Sequence, residues 1–192
     1  HGVIMAEPAA GLLSPRGLSQ FSSVYVKRII ESTVTPEFTV VLHNCGAKLV
    51  HLPKVLEAGA EIFHFGALMD IGQALTQVGE DIILSGNLDP TGVFHNGNPQ
   101  EVTARTRELL QAAAGHSNFI PSSGCDIPPH SPLGNLAAFY DTIGGKEGGL
   151  KNNFVSIVKK SHAGLSPISG AEGQFARDRS VRGWDSTGSS LM

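Results

Sequence analysis

One imidazole and two thiols are the residues in this chain best suited to metal chemistry. His43-Asn44-Cys45 closes one apolar run, and Cys125 closes another 80 residues further on. Cys45 and Cys125 are the only cysteines. Imidazole and thiolate are preferred zinc ligands. A set of three protein ligands leaves the fourth position open, as in catalytic rather than structural zinc. A disulfide between Cys45 and Cys125 is the alternative use of the pair. Each ligand group follows a run that reads as a buried strand, Phe38-Thr39-Val40-Val41-Leu42 before the first and Asn118-Phe119-Ile120 before the second. If both strands end on one face of a parallel barrel or sheet, ligands distant in sequence can meet there.

The elements needed for that meeting are legible as alternating patterns. Residues 2–6 read as a short buried strand ending at Glu7-Pro8. Ser14 before Pro15 is a good N-cap and first-turn pair. The helix it opens is predicted to run to about Ser32, with Leu18, Phe21, Val24, Tyr25, Ile29 and Ile30 on its buried face. Strands are predicted over residues 39–42, 61–65, 81–84 and 118–120. Helices are predicted over 49–58, stopped by Gly59, and over 71–78, 99–114 and 136–143. Ser85-Gly86-Asn87-Leu88-Asp89-Pro90 reads as a loop after the fourth strand. Repeated strand–helix alternation argues for a parallel sheet covered by helices. The polar and glycine-rich segments follow the strands, on the face where parallel α/β folds bind ligands. About five units are too few for a complete eight-stranded barrel. With the strand-like run that begins at His1, they suggest the last five-eighths of one.

Composition narrows the class. The 192 residues suffice for one domain with a real core. A net charge of −3 gives no electrostatic reason to expect nucleic acid or an anionic membrane surface. No apolar run approaches the roughly 20 residues of a membrane span, and no basic leader precedes an apolar segment. Two cysteines make no disulfide framework, so a reducing cytoplasm is the expected location. From about Gly144 clean periodicity is lost, and residues 170–192 carry few large apolar side chains. Residues 1–143 are therefore expected to form a partial barrel, and residues 144–192 an irregular or flexible tail.

His43-Asn44-Cys45-Gly46, Ser85-Gly86-Asn87-Leu88-Asp89-Pro90 and Ser122-Ser123-Gly124-Cys125-Asp126-Ile127-Pro128-Pro129 together resemble the uroporphyrinogen decarboxylase superfamily. The resemblance is strongest to its cobalamin-dependent branch, the methylcobamide:coenzyme M methyltransferases. It covers about residues 2–143. It implies a (β/α)8 TIM barrel, of which these residues would supply the last five strands. It also implies that His43, Cys45 and Cys125 bind a catalytic zinc. The implied reaction moves a methyl group from a methyl-corrinoid protein to a small thiol such as coenzyme M, so the corrinoid belongs to a partner. A missing amino-terminal segment or a second copy of the chain would complete the barrel.

Further residues carry two readings each. Glu7 follows a strand and precedes Pro8, which aims it at the barrel mouth as a fourth ligand or as a base for the thiol proton; otherwise its carboxylate bonds loop amides. Asp89 is a candidate for substrate contact, or a turn residue ahead of Pro90. Asp126 could support a ligand from behind or form an Asx turn. His64, between Phe63 and Phe65, either faces the barrel mouth or is a satisfied core histidine, the second being the expectation. His51, His95, His116, His130 and His162 read as surface or loop residues.

Two rival functions stand beside methyl transfer. Uroporphyrinogen decarboxylation needs no metal, and its polycarboxylate substrate demands several arginines; Arg16, Arg28, Arg105 and Arg107 all read as helix residues rather than a clamp. The other rival is a non-catalytic remnant with exposed sheet edges.

Overall fold

Five strands lie side by side in sequence order, all parallel. They are β1 (Gly2–Ala6), β2 (Thr39–Asn44), β3 (Ile62–Phe65), β4 (Ile83–Leu88) and β5 (Phe119–Ser123). The structure, a computed structural model, describes residues 1–144. The tail expected over 144–192 lies, apart from Gly144, outside the described residues, as does His162. Helical segments α1 (Pro15–Leu18) and α2 (Val24–Thr33), joined by a π-helical stretch at Ser19–Ser23, follow β1. Helix α3 (Leu52–Leu56) follows β2, α4 (Ile71–Leu75) follows β3, α5 (Pro99–Ala112) follows β4 and α6 (Leu133–Ile143) follows β5. This is the α/β alternation of the TIM-barrel architecture, present as five β/α units.

Strand alternation divides the sheet into two faces. The register pairs Leu42 with Phe63, Phe63 with Leu84 and Leu84 with Phe119. These four side chains are all buried, with Phe63 and Leu84 fully so, and they share a core with Val55, Ile71, Leu75 and Val102 from the helices. The opposite face carries Val41, His43, Ile62, His64, Ser85 and Ile120, of which Val41, Ile62, His64 and Ile120 are only half-buried. His43 pairs with His64 in register, and His64 with Ser85. The two imidazoles therefore project from the same face at neighbouring strand ends.

Local chemistry explains the helix starts. The Ser14 hydroxyl accepts from Gly17 N, the Asp70 carboxylate from Gln73 N and the Asn98 side chain from Glu101 N, each satisfying an otherwise orphaned amide. Helix α5 buries Val102, Thr106 and Leu109, as its spacing predicts.

The structure corrects several expectations. Strand β1 is not buried: Val3 is 49% and Ile4 65% exposed, because β1 pairs with β2 along one side only among the described residues. The buried stripe after β1 is Leu18, Ser22, Ser23, Val26 and Ile30, while Phe21, Val24, Tyr25 and Ile29 are exposed. The π turn shifts the register of the helix face. The serines reach inward because their hydroxyls find acceptors, Ser23 Oγ donating to Lys54 O at 2.6 Å. Strand β4 continues through Ser85-Gly86-Asn87-Leu88, which the sequence reads as a loop, because these residues pair in register with Ile120, Pro121, Ser122 and Ser123 of β5. His51 is buried rather than on the surface. Its Nδ1 accepts from Lys48 N, so its Nε2 donates to Leu13 O at 3.2 Å.

Candidate metal centre

The carboxyl ends of β2, β3, β4 and β5 converge on one face, and close backbone approach lets them do so. Gly66, just beyond β3, lies against Cys45: a Cβ built on it would fall 2.8 Å from the Cys45 Cα. Gly124, just beyond β5, lies against the same turn, where a Cβ would fall 2.8 Å from Ala67 N and 3.1 Å from Asn87 O. Only glycine permits such contacts without moving the neighbouring chain. Asn87 ties the turn to β4, its Nδ2 donating to Gly66 O at 3.0 Å and to Met69 O at 2.6 Å. Gly124 N donates to Leu88 O at 2.6 Å, which sets the start of the loop bearing Cys125.

On this frame His43, Cys45 and Cys125 come together. Their potential ligand atoms all lie within 4.8 Å of one another, the one such cluster among the described residues. His43 is buried, and the two cysteines are half-buried free thiols, so no disulfide joins them. Cys125 Sγ stands 3.5 Å from His43 Nε2. Tetrahedral zinc, with bonds of about 2.3 Å to sulfur and 2.0–2.1 Å to nitrogen, sets such a pair about 3.6 Å apart. The three residues thus fit zinc in donor chemistry, and the Cys125–His43 pair fits it in spacing. Burial pushes the Cys45 thiol above its ordinary pKa, and the neighbouring Cys125 adds to the rise.

A second histidine stands behind the first. His64 Nδ1 is 2.7 Å from His43 Nδ1, and the ring centroids are 4.7 Å apart. His64 Nε2 is 2.8 Å from the carbonyl oxygen of Ser123. His43 Nδ1 also lies 3.2 Å from the backbone oxygen of His64. Burial lowers the His64 pKa, the His43 ring adding to the fall; the Ser123 carbonyl and the Asp126 carboxylate oppose it. His64 is therefore no core histidine. Its partners were readable in part: Phe63 and Phe65 belong to the helix-covered face, which forces the residue between them onto the other. The Ser123 carbonyl left no side-chain signal.

Glu7 and Asp89 stand apart from the cluster. Glu7 N donates to His43 O at 2.9 Å, which puts the residue at the correct strand end. Its carboxylate, however, accepts from the Ser22 hydroxyl and belongs neither to the three-residue cluster nor to a set of loop-amide bonds. Asp89 is exposed and caps the π-helical turn Pro90–His95, its Oδ1 accepting from Thr91 N at 2.9 Å and Gly92 N at 3.0 Å. Asp126 is exposed and reaches His64 only through its charge. Among the arginines, Arg105 pairs with Glu108 at 2.9 Å on the exposed side of α5. Arg16 and Arg28 lie on α1 and α2.

Comparison with known proteins gives a consistent set of relatives. The family model described as Uroporphyrinogen decarboxylase (URO-D) matches residues 1–145. The chain is 30% identical over 140 residues to a uroporphyrinogen decarboxylase of Parasynechococcus marenigrum, covering 72% of this chain and 39% of that protein. It is 29% identical over 136 residues to the methylcobamide:CoM methyltransferase MtbA of Methanosarcina mazei, covering 70% and 39%. Among solved structures, a methyltransferase from Methanosarcina mazei superposes with a TM-score of 0.65 at 23% identity, over 77% of this chain and 42% of that one. The chain thus spans about two fifths of the length of the relatives it matches.

Proposed function

The chain belongs to the uroporphyrinogen decarboxylase family of enzymes, and within it we propose that this protein carries the zinc site of a methyltransferase. Its reaction would move a methyl group from a methyl-corrinoid partner protein to a small thiol such as coenzyme M. The observation that carries this reading is the convergence of His43, Cys45 and Cys125. A polycarboxylate decarboxylase has no use for such a set. The likeness to a methylcobamide:CoM methyltransferase supports the reading, and the comparable likeness to decarboxylases keeps decarboxylation as the rival to be tested.

In this reading His43, Cys45 and Cys125 hold the metal and leave one position for substrate. A zinc ion held there would favour the thiolate of the substrate at neutral pH. The thiolate sulfur would then attack the methyl carbon, the electrons of the carbon–cobalt bond would stay with the partner's corrinoid, and the thiol proton would leave to solvent or to a nearby base. Glu7, at the end of β1, is our candidate for that base, once its carboxylate turns from Ser22 toward the cluster. Asp89 holds the loop after β4, and as an exposed residue it is our candidate for substrate or partner contact. We assign residues 1–143 to one domain, open along β1, whose exposed Val3 and Ile4 suit pairing with further strands from a longer chain or a second copy. Free thiols suit a reducing compartment such as the cytoplasm.

The test is an assay of the purified full chain with methylcobalamin and coenzyme M, run with and without a zinc chelator. Chelator-sensitive formation of the methyl thioether is the expected result. Chelator-insensitive consumption of uroporphyrinogen, with no thioether formed, would replace this reading by the decarboxylase one.

A further inference from the structure

We infer that His64 is a positioning residue for the cluster: bonded to the Ser123 carbonyl, it holds the His43 proton on Nδ1 and leaves His43 Nε2 as a lone pair facing Cys125. The inference rests on the zinc reading for its purpose, but its geometry stands alone. A carbonyl oxygen only accepts, so the 2.8 Å contact with Ser123 O requires a proton on His64 Nε2. In a neutral ring Nδ1 is then an acceptor. The 2.7 Å contact between the two Nδ1 atoms needs one proton between them, and that proton must sit on His43. The backbone oxygen of His64, 3.2 Å from the same His43 nitrogen, is a second acceptor and favours the same assignment. His43 Nε2 is thereby left unprotonated, and 3.5 Å away it meets Cys125 Sγ, whose thiol hydrogen can point at it in the metal-free protein.

The relay runs from the Cys125 thiol through both imidazoles to the Ser123 carbonyl, the His43 Nδ1 proton being shared between His64 Nδ1 and the His64 backbone oxygen. It begins at Cys125, just beyond β5, and ends at Ser123, the last residue of that strand, so the segment that supplies one ligand also fixes the tautomer of another. Metal-binding histidines commonly donate their second nitrogen to a carboxylate, a carbonyl or water. Here a second imidazole takes that place and passes the bond on to the backbone.

Two substitutions separate positioning from mere packing. Glutamine at position 64 spans nearly the same distance as the two imidazole nitrogens. Its amide oxygen can accept from His43 and its amide nitrogen can donate to Ser123. Leucine can do neither. In the full chain, zinc affinity measured by competition with a chromophoric chelator should fall about 10- to 100-fold in His64→Leu and return close to wild type in His64→Gln. The second measurement uses no metal: long-range proton–nitrogen NMR of the histidine rings should find His43 protonated at Nδ1 in wild type and His64→Gln, and as a mixture of tautomers in His64→Leu. Wild-type affinity in His64→Leu, or a His43 proton on Nε2 in the metal-free wild type, would overturn the inference. Failure of the wild-type chain to bind zinc, with the His43 tautomer as stated, would overturn the zinc reading of the site and leave the relay standing.

Discussion

Replacing Gly66 by alanine should damage the fold and the metal centre together, although Gly66 carries no functional group. The added Cβ would fall 2.8 Å from both the Cα and the carbonyl carbon of Cys45. Carbon atoms rest about 3.5–4.0 Å apart, and the Cys45 carbonyl oxygen lies closer still to the added Cβ, so the Cys45 turn must move by at least about 0.7 Å. Overpacking of this kind costs about 1–3 kcal/mol. At about 2 kcal/mol, a domain of this size should lose roughly 4–8 °C in Tm. The same displacement exceeds the tolerance of about 0.2 Å in metal–ligand distances, so zinc affinity should fall at least about 10-fold. Gly134→Ala is the control. A Cβ there meets only Pro99 Cγ at 3.6 Å, an ordinary contact, within helix α6. Alanine in a helix is favoured over glycine by about 0.5–1 kcal/mol, so this variant should melt at or slightly above wild type with zinc affinity unchanged. Thermal unfolding and chelator competition read both quantities. A Gly66→Ala protein with wild-type Tm and wild-type zinc affinity would refute the reasoning.

Cys125→Ser should lose most of its bound zinc while its far-UV circular dichroism stays as in wild type, because a half-buried side chain beyond β5 contributes little to the core; metal analysis of the purified variant is the check. Zinc affinity should strengthen as pH rises through the neutral range, since the raised Cys45 thiol must give up its proton before it can ligate; an affinity flat in pH would show that Cys45 is not a ligand. Asp89→Ala should cost about 1 kcal/mol by removing the acceptor for Thr91 N and Gly92 N. Asp89→Asn should restore that stability, and if it does so without restoring methyl transfer, the carboxylate has a role beyond the turn.

Strand–helix alternation and the position of His43, Cys45 and Cys125 past apolar runs were legible because both follow from local periodicity and residue type. Parallel register then brings the strand ends together whatever the loop lengths. What escaped the sequence depended on neighbours. Phe21, Tyr25 and Ile29 look like a buried face, but the π turn at Ser19–Ser23 and the serine contacts to Glu7 and Lys54 redirect that helix. Gly86 and Asn87 look like a loop, but their pairing with Pro121 and Ser122 extends β4. His64 looks like core when only its flanking phenylalanines are considered. The partner that gives it meaning is a backbone oxygen 59 residues away. Glu7 was correctly placed at a strand end, yet its side chain follows the nearest hydroxyl, which periodicity does not encode.

X-ray absorption at the zinc edge, on the zinc-loaded full chain before and after addition of coenzyme M, tests the central claim most directly. Without thiol, the account predicts two sulfur neighbours at about 2.3 Å and one imidazole nitrogen at about 2.0–2.1 Å, the fourth position being filled by a light atom. With thiol, the sulfur count should rise to three. A shell of nitrogen and oxygen alone, or a sulfur count that the thiol leaves unchanged, would contradict it.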